Sequence, residues 1–241
     1  MELFSQKLGD FTVYYRNRDE LDEIHAEIFD REEYRFSSPK PDPLILDCGS
    51  HIGLSVLYFK TRYPGARIIA FEPHPVNFAI LRKNVESNKL RDVELVQAAV
   101  TDEEGEVSLY GKFDSQQAWT WGDTIVPDMW GRWATMGRDE ELAVKAVRLS
   151  SYLREPVDFV KLDVEGAEQR IVEDIADQLA AIRELVVEFH PTDTSRHVND
   201  GEKILSLLRS EGFEVAIERS ETKDPILFRA RRAGTAEPGR T

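Results

Sequence analysis

An acid and two glycines follow a short apolar run near the start of the chain's most regular region. The run begins at Leu44 and reads LILDCGSHIG, with three residues between its two glycines. A glycine-containing turn that joins a strand to a helix is a common site for a nucleotide-like ligand in α/β proteins. The candidate ligand loop comprises Asp47, Gly49, Ser50, His51 and Gly53.

A second acid stands where the next strand of the pattern ends. Glu72 closes the run RIIAFE, lies 23 positions after Gly49 and precedes Pro73. An acid about 20 residues after such a loop binds the hydroxyl groups of a ribose. The two features together predict an adenosine-type ligand.

The acid in the ligand loop distinguishes between two classes of adenosine cofactor. Asp47 occupies the position at which a dinucleotide loop, G-x-G-x-x-G, has its first glycine. A carboxylate beside a pyrophosphate is electrostatically unfavourable, whereas it suits a ligand that carries a cation. S-adenosylmethionine has a ribose, an adenine, a sulfonium and an amino group but no phosphate. The spacing D-x-G-x-x-x-G therefore predicts this cofactor, with S-adenosylhomocysteine as its product, rather than NAD.

Small residues at the end of the third strand offer room for an adenine ring. Ala98 and Ala99 permit close approach, and Asp102 could accept a hydrogen bond from the adenine amine. Core packing would explain the two alanines equally well.

Two later strands deliver ionisable groups to the same edge of the predicted sheet. The run DFVKLDVEGAE carries Lys161, Asp163 and Glu165, and ELVVEFHP carries Glu188 and His190. Buried ionisable groups are costly unless they are paired or used. One interpretation is a structural rim, in which Lys161 pairs with Glu188 and Glu165 caps the next helix.

The other interpretation is methyl transfer to an oxygen of a small molecule. The protein would then hold the acceptor in line and remove a proton as the bond forms. An imidazole suits that role at neutral pH. We expect His190 to be the base, oriented by Glu188 or Asp163, with His74 as the second choice.

A divalent metal on the acids of these strands is the alternative to a general base. Asp163, Glu165 and Glu188 could hold such an ion and acidify a diol. Their spacing does not require one, so we predict no metal.

Strands alternate with helices from Leu44 onward. This order predicts a mostly parallel sheet covered by helices on both faces. VELVQAAV is predicted as one strand, and GEVSLY as a strand that pairs with a neighbour. FEVAIE and PILFRA predict an antiparallel hairpin at the C-terminal end.

Three segments flank or interrupt this α/β domain, which we place at 41–232. Residues 1–40 are predicted to form a polar cap, whose Tyr14, Tyr15 and Tyr34 could close one side of the site. Residues 112–142 form an irregular tryptophan-rich insert, and 233–241 a disordered tail. The insert could be a lid that stacks on the acceptor, although packing of single indoles on the sheet would also explain it. Its tryptophans are Trp119, Trp121, Trp130 and Trp133.

Composition limits the partners. The chain has 241 residues and a formal charge of −14, which argues against a nucleic-acid surface or an anionic membrane surface. Cys48 is the only cysteine, and the N-terminus lacks the form of a signal peptide, so we expect a cytoplasmic protein. An RNA or protein methyltransferase and a catalytically silent cofactor-binding module remain the alternatives. The sequence leaves a homo-oligomer open.

Five stretches in this order resemble one known family. They span about Leu44 to Pro191 and resemble the FkbM family of S-adenosylmethionine-dependent methyltransferases; KLDVEGAE and the FEP turn are the most specific of the motifs. The stretches are LILDCGSHIGLSVLYF, IIAFEPHPVNFAILRKNVESN, VRLSSYL, DFVKLDVEGAEQRIVEDI and LVVEFHP.

The resemblance implies a fold and a set of roles. It implies the class I methyltransferase (Rossmann-like) fold and transfer to hydroxyl groups, often on sugars or polyketide-type natural products. The tryptophan-rich insert is not part of the family pattern. By resemblance, Asp47, Gly49 and Gly53 match the cofactor loop, Glu72 matches the ribose binder, and Asp163 and Glu165 match the acids near the methyl group.

Overall fold

Short apolar runs form the strands of a central sheet. The computed structural model describes residues 2–113, 119–129, 140–219 and 225–232. Its strands are β1 (Phe4–Leu8), β2 (Phe11–Tyr15), β3 (Leu44–Cys48), β4 (Arg67–Phe71), β5 (Val93–Val96), β6 (Ala99–Thr101), β7 (Gly105–Gly111), β8 (Glu140–Arg148), β9 (Val157–Leu162), β10 (Ile182–Phe189), β11 (Phe213–Arg219) and β12 (Ile226–Arg232).

In the described parts of the chain, five α-helices connect these strands. They are α1 (Arg18–His25), which continues as a π-helical turn over Ala26–Asp30, α2 (Leu54–Arg62), α3 (Pro75–Ser87), α4 (Glu168–Asp174) and α5 (Gly201–Ser210). Among the residues described, no helix has the length and apolar character needed to cross a membrane.

The central sheet has seven strands in the order β11-β12-β10-β9-β3-β4-β5. Strands β3, β4, β5, β9 and β10 are parallel, and β12 runs antiparallel to both β10 and β11. The predicted mostly parallel sheet and its C-terminal hairpin are therefore confirmed. Chain order reverses at β3, which lies between β4 and β9, so a ligand crevice is expected beyond the carboxyl ends of these three strands.

Both faces of the sheet are buried. On β3, Leu44 and Leu46 join one core cluster with α4 and α5, while Ile45 joins the other with α2 and α3. Alternate side chains of a strand point to opposite faces, so helices on both sides account for the apolar residues on both faces of this strand, in which Asp47 is the one acid.

The N-terminal segment (1–40) is part of the second core cluster. Its β1–β2 hairpin is fixed to α3, where the side-chain oxygens of Asn84 and Asn88 accept hydrogen bonds from the backbone of Tyr14 (2.7 Å) and Thr12 (2.8 Å). Further along, the Phe36 ring stacks on Phe159 of β9 at a centroid distance of 4.4 Å. Side chains of this segment are therefore part of the hydrophobic core and do not only cover it.

A small sheet of β6, β8 and β7 lies outside the main sheet. The prediction of one strand over VELVQAAV is wrong, because the chain turns after Val96 and Ala98 N donates to Val96 O (3.0 Å). GEVSLY forms β7, as predicted, and its neighbour is β8, which begins within the last residues of the insert. Trp130, Trp133 and the tail 233–241 lie outside the described residues.

Candidate active site

The ligand loop bends sharply because of two glycines with positive φ. Gly49 has φ +88°, and a Cβ at this position would lie 1.8 Å from the backbone oxygen of Asp163. The amides of Gly49 and Ser50 donate to Phe71 O at the end of β4 (3.1 and 2.9 Å). Gly53, with φ +92°, precedes α2. The loop is therefore fixed between the ends of β3, β4 and β9.

Asp47 lies beneath this loop and is fully buried. It accepts a hydrogen bond from Ser55 Oγ (2.6 Å), and its other oxygen lies 3.7 Å from Lys161 Nζ. It does not line the cavity described below. The expectation that Asp47 faces a cationic ligand is therefore corrected, because its charge is balanced within the protein by Lys161.

A solvent-open cavity lies in the crevice above these strands; the crevice encloses about 950 Å³ of space when its open solvent is included. The loop residues Gly49, Ser50 and His51 line it, as do Pro73, Ala98 and Ala99. Its wall is strongly acidic, with Lys161 and His51 as the cationic or potentially cationic side chains among the described lining residues. The lining acids are Glu27, Glu72, Asp123, Asp163, Glu165 and Glu188.

Two backbone amides hold Glu72 in place at the cavity wall. Its carboxylate accepts hydrogen bonds from His51 N (2.8 Å) and His74 N (2.9 Å). Burial raises the pKa of Glu72 to about 6, although His51 and the two amides favour the ionised form. Asp102, by contrast, does not line the cavity; its carboxylate accepts a hydrogen bond from Thr101 Oγ1 (2.9 Å).

Lys161 connects the loop to the end of β9. Its ammonium donates to Gly49 O (2.6 Å) and to Asp163 Oδ2 (2.9 Å). Burial opposes this charge, but Asp163 and Asp47 raise the pKa of Lys161 above its ordinary value. The structural-rim interpretation predicted an ion pair between Lys161 and Glu188. In the structure, Lys161 pairs with Asp163 instead.

Glu188 and Tyr34 form a buried pair at the cavity. The Tyr34 hydroxyl donates to Glu188 Oε2 and lies 3.4 Å from Asp163 Oδ2. Burial and the neighbouring Asp163 raise the pKa of Glu188 well above its ordinary value. Burial likewise raises the pKa of Tyr34, so its hydroxyl stays a neutral donor.

His190 lies behind this pair and does not line the cavity. Its Nδ1 is 3.4 Å from Glu168 Oε1, and its Nε2 is 3.6 Å from Glu165 Oε2 and 3.8 Å from Glu188 Oε1. Burial alone would lower the pKa of His190, but these carboxylates raise it well above its ordinary value. The surrounding carboxylates therefore favour the protonated ring, which has no free site for a further proton.

The two histidines near the cofactor loops have different surroundings. His74 caps α3, where its Nδ1 accepts hydrogen bonds from Val76 N (3.1 Å) and Asn77 N (3.2 Å). Burial lowers the pKa of His74 to about 4, so a helix cap explains this ring better than a base does. His51 lines the cavity, and its Nε2 lies 2.9 Å from Thr120 Oγ1.

One group of side chains has the composition of a divalent-metal site. Asp163, Glu165 and His190 each bring a potential ligand atom within 4.8 Å of the others. Ion pairing between a protonated His190 and these carboxylates would also explain the group without a metal ion. Glu165 does not cap the next helix as expected, because α4 begins at Glu168 and its N-cap residue is Ala167.

Two of the four tryptophans of the insert lie in the described part of the chain. Trp121 lines the cavity, whereas Trp119 does not. Their rings meet edge to face at 6.3 Å and remain 38% (Trp119) and 43% (Trp121) exposed. An exposed indole at the cavity mouth is available to a ligand.

Sequence reasoning did not single out three of the acids and hydroxyls at or near the cavity. Glu27 belongs to the helical turn after α1, and Thr120 and Asp123 belong to the insert. Burial and Glu33 raise the pKa of Glu27 to about 7. Both segments lie outside the α/β repeat, so no strand-end pattern pointed to these residues.

The fold has a solved counterpart. A crystal structure of methyltransferase FkbM from Methylobacillus flagellatus superimposes with a TM-score of 0.56 and 14% sequence identity, over 85% of this chain and 47% of that chain. The chain thus covers about half of that protein. The strand order and the crevice at β3 define a class I methyltransferase fold.

Sequence comparisons identify the family. A model described as the methyltransferase FkbM domain matches residues 47–215. Methyltransferase 1 of Beauveria bassiana is 29% identical, over 92% of this chain and 93% of its own length. The 31-O-demethyl-FK506 methyltransferase FkbM of Streptomyces tacrolimicus is 30% identical, over 89% and 88%. The chain belongs to the FkbM methyltransferase family and is a methyltransferase enzyme, as its motifs predicted.

Proposed function

We propose that this protein transfers a methyl group from S-adenosylmethionine to a hydroxyl group of a small molecule. The observation that carries the proposal is the acid-rich cavity above the glycine loop, with Glu72 held at its wall. S-adenosylmethionine supplies a methyl group on a cationic sulfonium. A phosphate-bearing dinucleotide would meet unfavourable charge in the same space.

The chain's own groups suit this cofactor. Glu72 has its two oxygens fixed by amides of the adjoining loops, as a ribose-binding acid requires. Ala98 and Ala99 leave space for a flat ring at the end of β5. Gly49, Ser50, His51, Gly53 and Pro73 complete the proposed cofactor side, and Asp47 supports it from below through Lys161.

Glu188 is the better candidate for the proton acceptor, in place of His190. It lines the cavity, and its raised pKa makes the ionised carboxylate a stronger base than an ordinary one, in the pH range where it is ionised. It would take the hydroxyl proton as the new oxygen–carbon bond forms. Asp163, Glu165 and the Tyr34 hydroxyl would position the acceptor, while the His190 imidazolium would offset part of the acidic charge.

The proposed acceptor side includes apolar side chains. Ile24 and Ile28 of the N-terminal segment and Trp121 of the insert line the cavity. This wall suits the ring of a sugar or a natural-product scaffold. The name of the relative from Streptomyces tacrolimicus points to an oxygen acceptor in that protein, which agrees with this choice.

Methyl transfer is tested with labelled cofactor and a panel of hydroxyl compounds. We expect S-adenosylhomocysteine to form only when an acceptor is present. Formation without O-methyl product, or transfer confined to RNA or protein, would contradict the proposal. Cofactor binding without any transfer would make the chain a binding module.

Glu72→Gln tests the cofactor side without an acceptor. Hydrogen bonds to a charged group contribute about 1.5–3 kcal/mol, so affinity for S-adenosylhomocysteine should fall about tenfold or more by calorimetry. Because ionised Glu72 is required and its pKa is about 6, wild-type affinity should also fall as the pH drops below about 6. The exposed Glu94→Gln is the control.

A further inference from the structure

A buried carboxylate outside the cavity joins the N-terminal segment to the insert. Glu20 of α1 is 5% exposed. Its Oε1 accepts hydrogen bonds from the backbone amides of Thr120 (2.6 Å) and Trp121 (3.1 Å). Two parts of the chain that are 100 residues apart are therefore fixed to each other by one side chain.

The Thr120 hydroxyl extends this junction to two more elements. It lies 2.9 Å from His51 Nε2 in the ligand loop and 3.2 Å from Glu20 Oε1. Asn77 Nδ2, from α3, donates to it at 3.1 Å. The ligand loop, α1, α3 and the insert thus meet at one buried hydroxyl group.

This junction is connected directly to the cavity wall. His51, Thr120 and Trp121 line the cavity, whereas Glu20 does not. The backbone amide of His51 also donates to Glu72, the proposed ribose acid. A change at Glu20 would therefore reach the cofactor through His51 and through the insert.

We propose that Glu20 is a positioning residue for the cofactor, which it serves by fixing Thr120 and Trp121 of the insert and the His51 ring at the cavity wall. The inference rests on the proposed function, because it assumes that S-adenosylmethionine occupies this cavity. The N-terminal segment would then contribute to cofactor binding as well as cover the site.

Charge at His51 is the second way in which Glu20 acts. Burial favours the neutral ring, but Glu20, together with Glu72 and Asp123, raises the pKa of His51 above its ordinary value. His74, the other titratable ring that acts on it, is neutral because burial lowers its own pKa to about 4. Glu20 thus helps to keep His51 charged and bonded to the insert.

Calorimetry with S-adenosylhomocysteine tests the inference in the full-length protein. Glu20→Ala removes both functions and should weaken binding at least tenfold. Glu20→Gln keeps an oxygen for the two amides but loses the charge, so it should weaken binding less. Glu23→Ala, on the exposed side of the same helix, should bind like wild type. Circular dichroism melts establish that each variant is folded.

The pH dependence provides a readout that a purely structural role would not change. Wild-type affinity should fall as the pH rises through the raised pKa of His51. In Glu20→Gln this fall should begin at a lower pH, and this result decides the question if Glu20→Ala does not fold. Unchanged affinity and unchanged pH dependence in the Glu20 variants would overturn the inference alone. Failure of the wild-type protein to bind would overturn the proposed function, and the inference with it.

Discussion

Buried charge determines which side chains of the site can take part in proton transfer. The sequence suggested His190, at the end of a strand, as the base because the ordinary pKa of histidine lies near neutral pH. The three carboxylates around His190 come from β10 (Glu188), from the loop after β9 (Glu165) and from the start of α4 (Glu168), and only the folded chain brings them together. A base must be unprotonated to accept a proton, and it must reach the acceptor, so the geometry favours Glu188, which lines the cavity, over His190, which does not.

We predict that His190 stays protonated above its ordinary pKa in the folded protein. Nitrogen-detected NMR of the ring should show a titration midpoint well above 6.5, and Glu168→Gln should lower it. The raised pKa contributes stability that is fully present below the unfolded value and is lost as the pH rises through the folded value. A midpoint below 6.5 that Glu168→Gln does not move would restore His190 as a base.

Gly49 should tolerate no side chain. A Cβ would clash with Asp163 O, and its φ of +88° is unfavourable for other residues. Overpacking and backbone strain each cost about 1–3 kcal/mol, so Gly49→Ala should lose about 3 kcal/mol, or roughly 6–12 °C in Tm. Gly9 has φ +57° and no atoms within 4 Å of a Cβ, so Gly9→Ala should cost about 1 kcal/mol. Equal losses of stability in Gly49→Ala and Gly9→Ala would contradict the steric argument.

The parts of the site that follow strand ends could be predicted from sequence. Glu72, Asp163 and Glu188 end strands of the α/β pattern, and all three line the cavity. The burial of Asp47 beside Lys161 could not be predicted, because the pattern shows that both residues reach the same edge but not which of them faces the ligand.

Whole elements outside the α/β repeat close the site. The N-terminal segment was predicted as a cap from its polar composition. Phe36 stands between charged and polar residues, in no regular apolar pattern, so nothing in the sequence showed that it would pack between strand and helix. The break between β5 and β6 was missed for a related reason, since the apolar run continues through the turn.

Phe36→Ala should show that the N-terminal segment belongs to the core. The ring is 3% exposed and stacks on Phe159, and removing a buried phenyl ring costs about 3–5 kcal/mol. Urea unfolding should register this loss in a single transition. Phe4→Ala, on a ring that is 53% exposed, should cost about 0.5 kcal/mol. A small effect at Phe36, or separate unfolding of the segment, would show a loosely docked cap.

At the scale of the molecule, both the whole chain and the cavity lining contain more acidic than basic residues. The chain carries a net charge of −14, and the cavity lining has six acids against Lys161 and His51. We expect this acidity to disfavour nucleic acid and phosphate-bearing ligands within about 8–10 Å at physiological salt, and to suit the proposed cofactor with its cationic centre.

The most direct test of the central claim is a crystal structure of the protein with S-adenosylhomocysteine. We predict that the ribose hydroxyls bind Glu72, that the adenine lies beside Ala98 and Ala99, and that the sulfur faces Asp163 and Glu188. A nucleoside placed elsewhere, or a phosphate group bound against Glu72, would contradict the account.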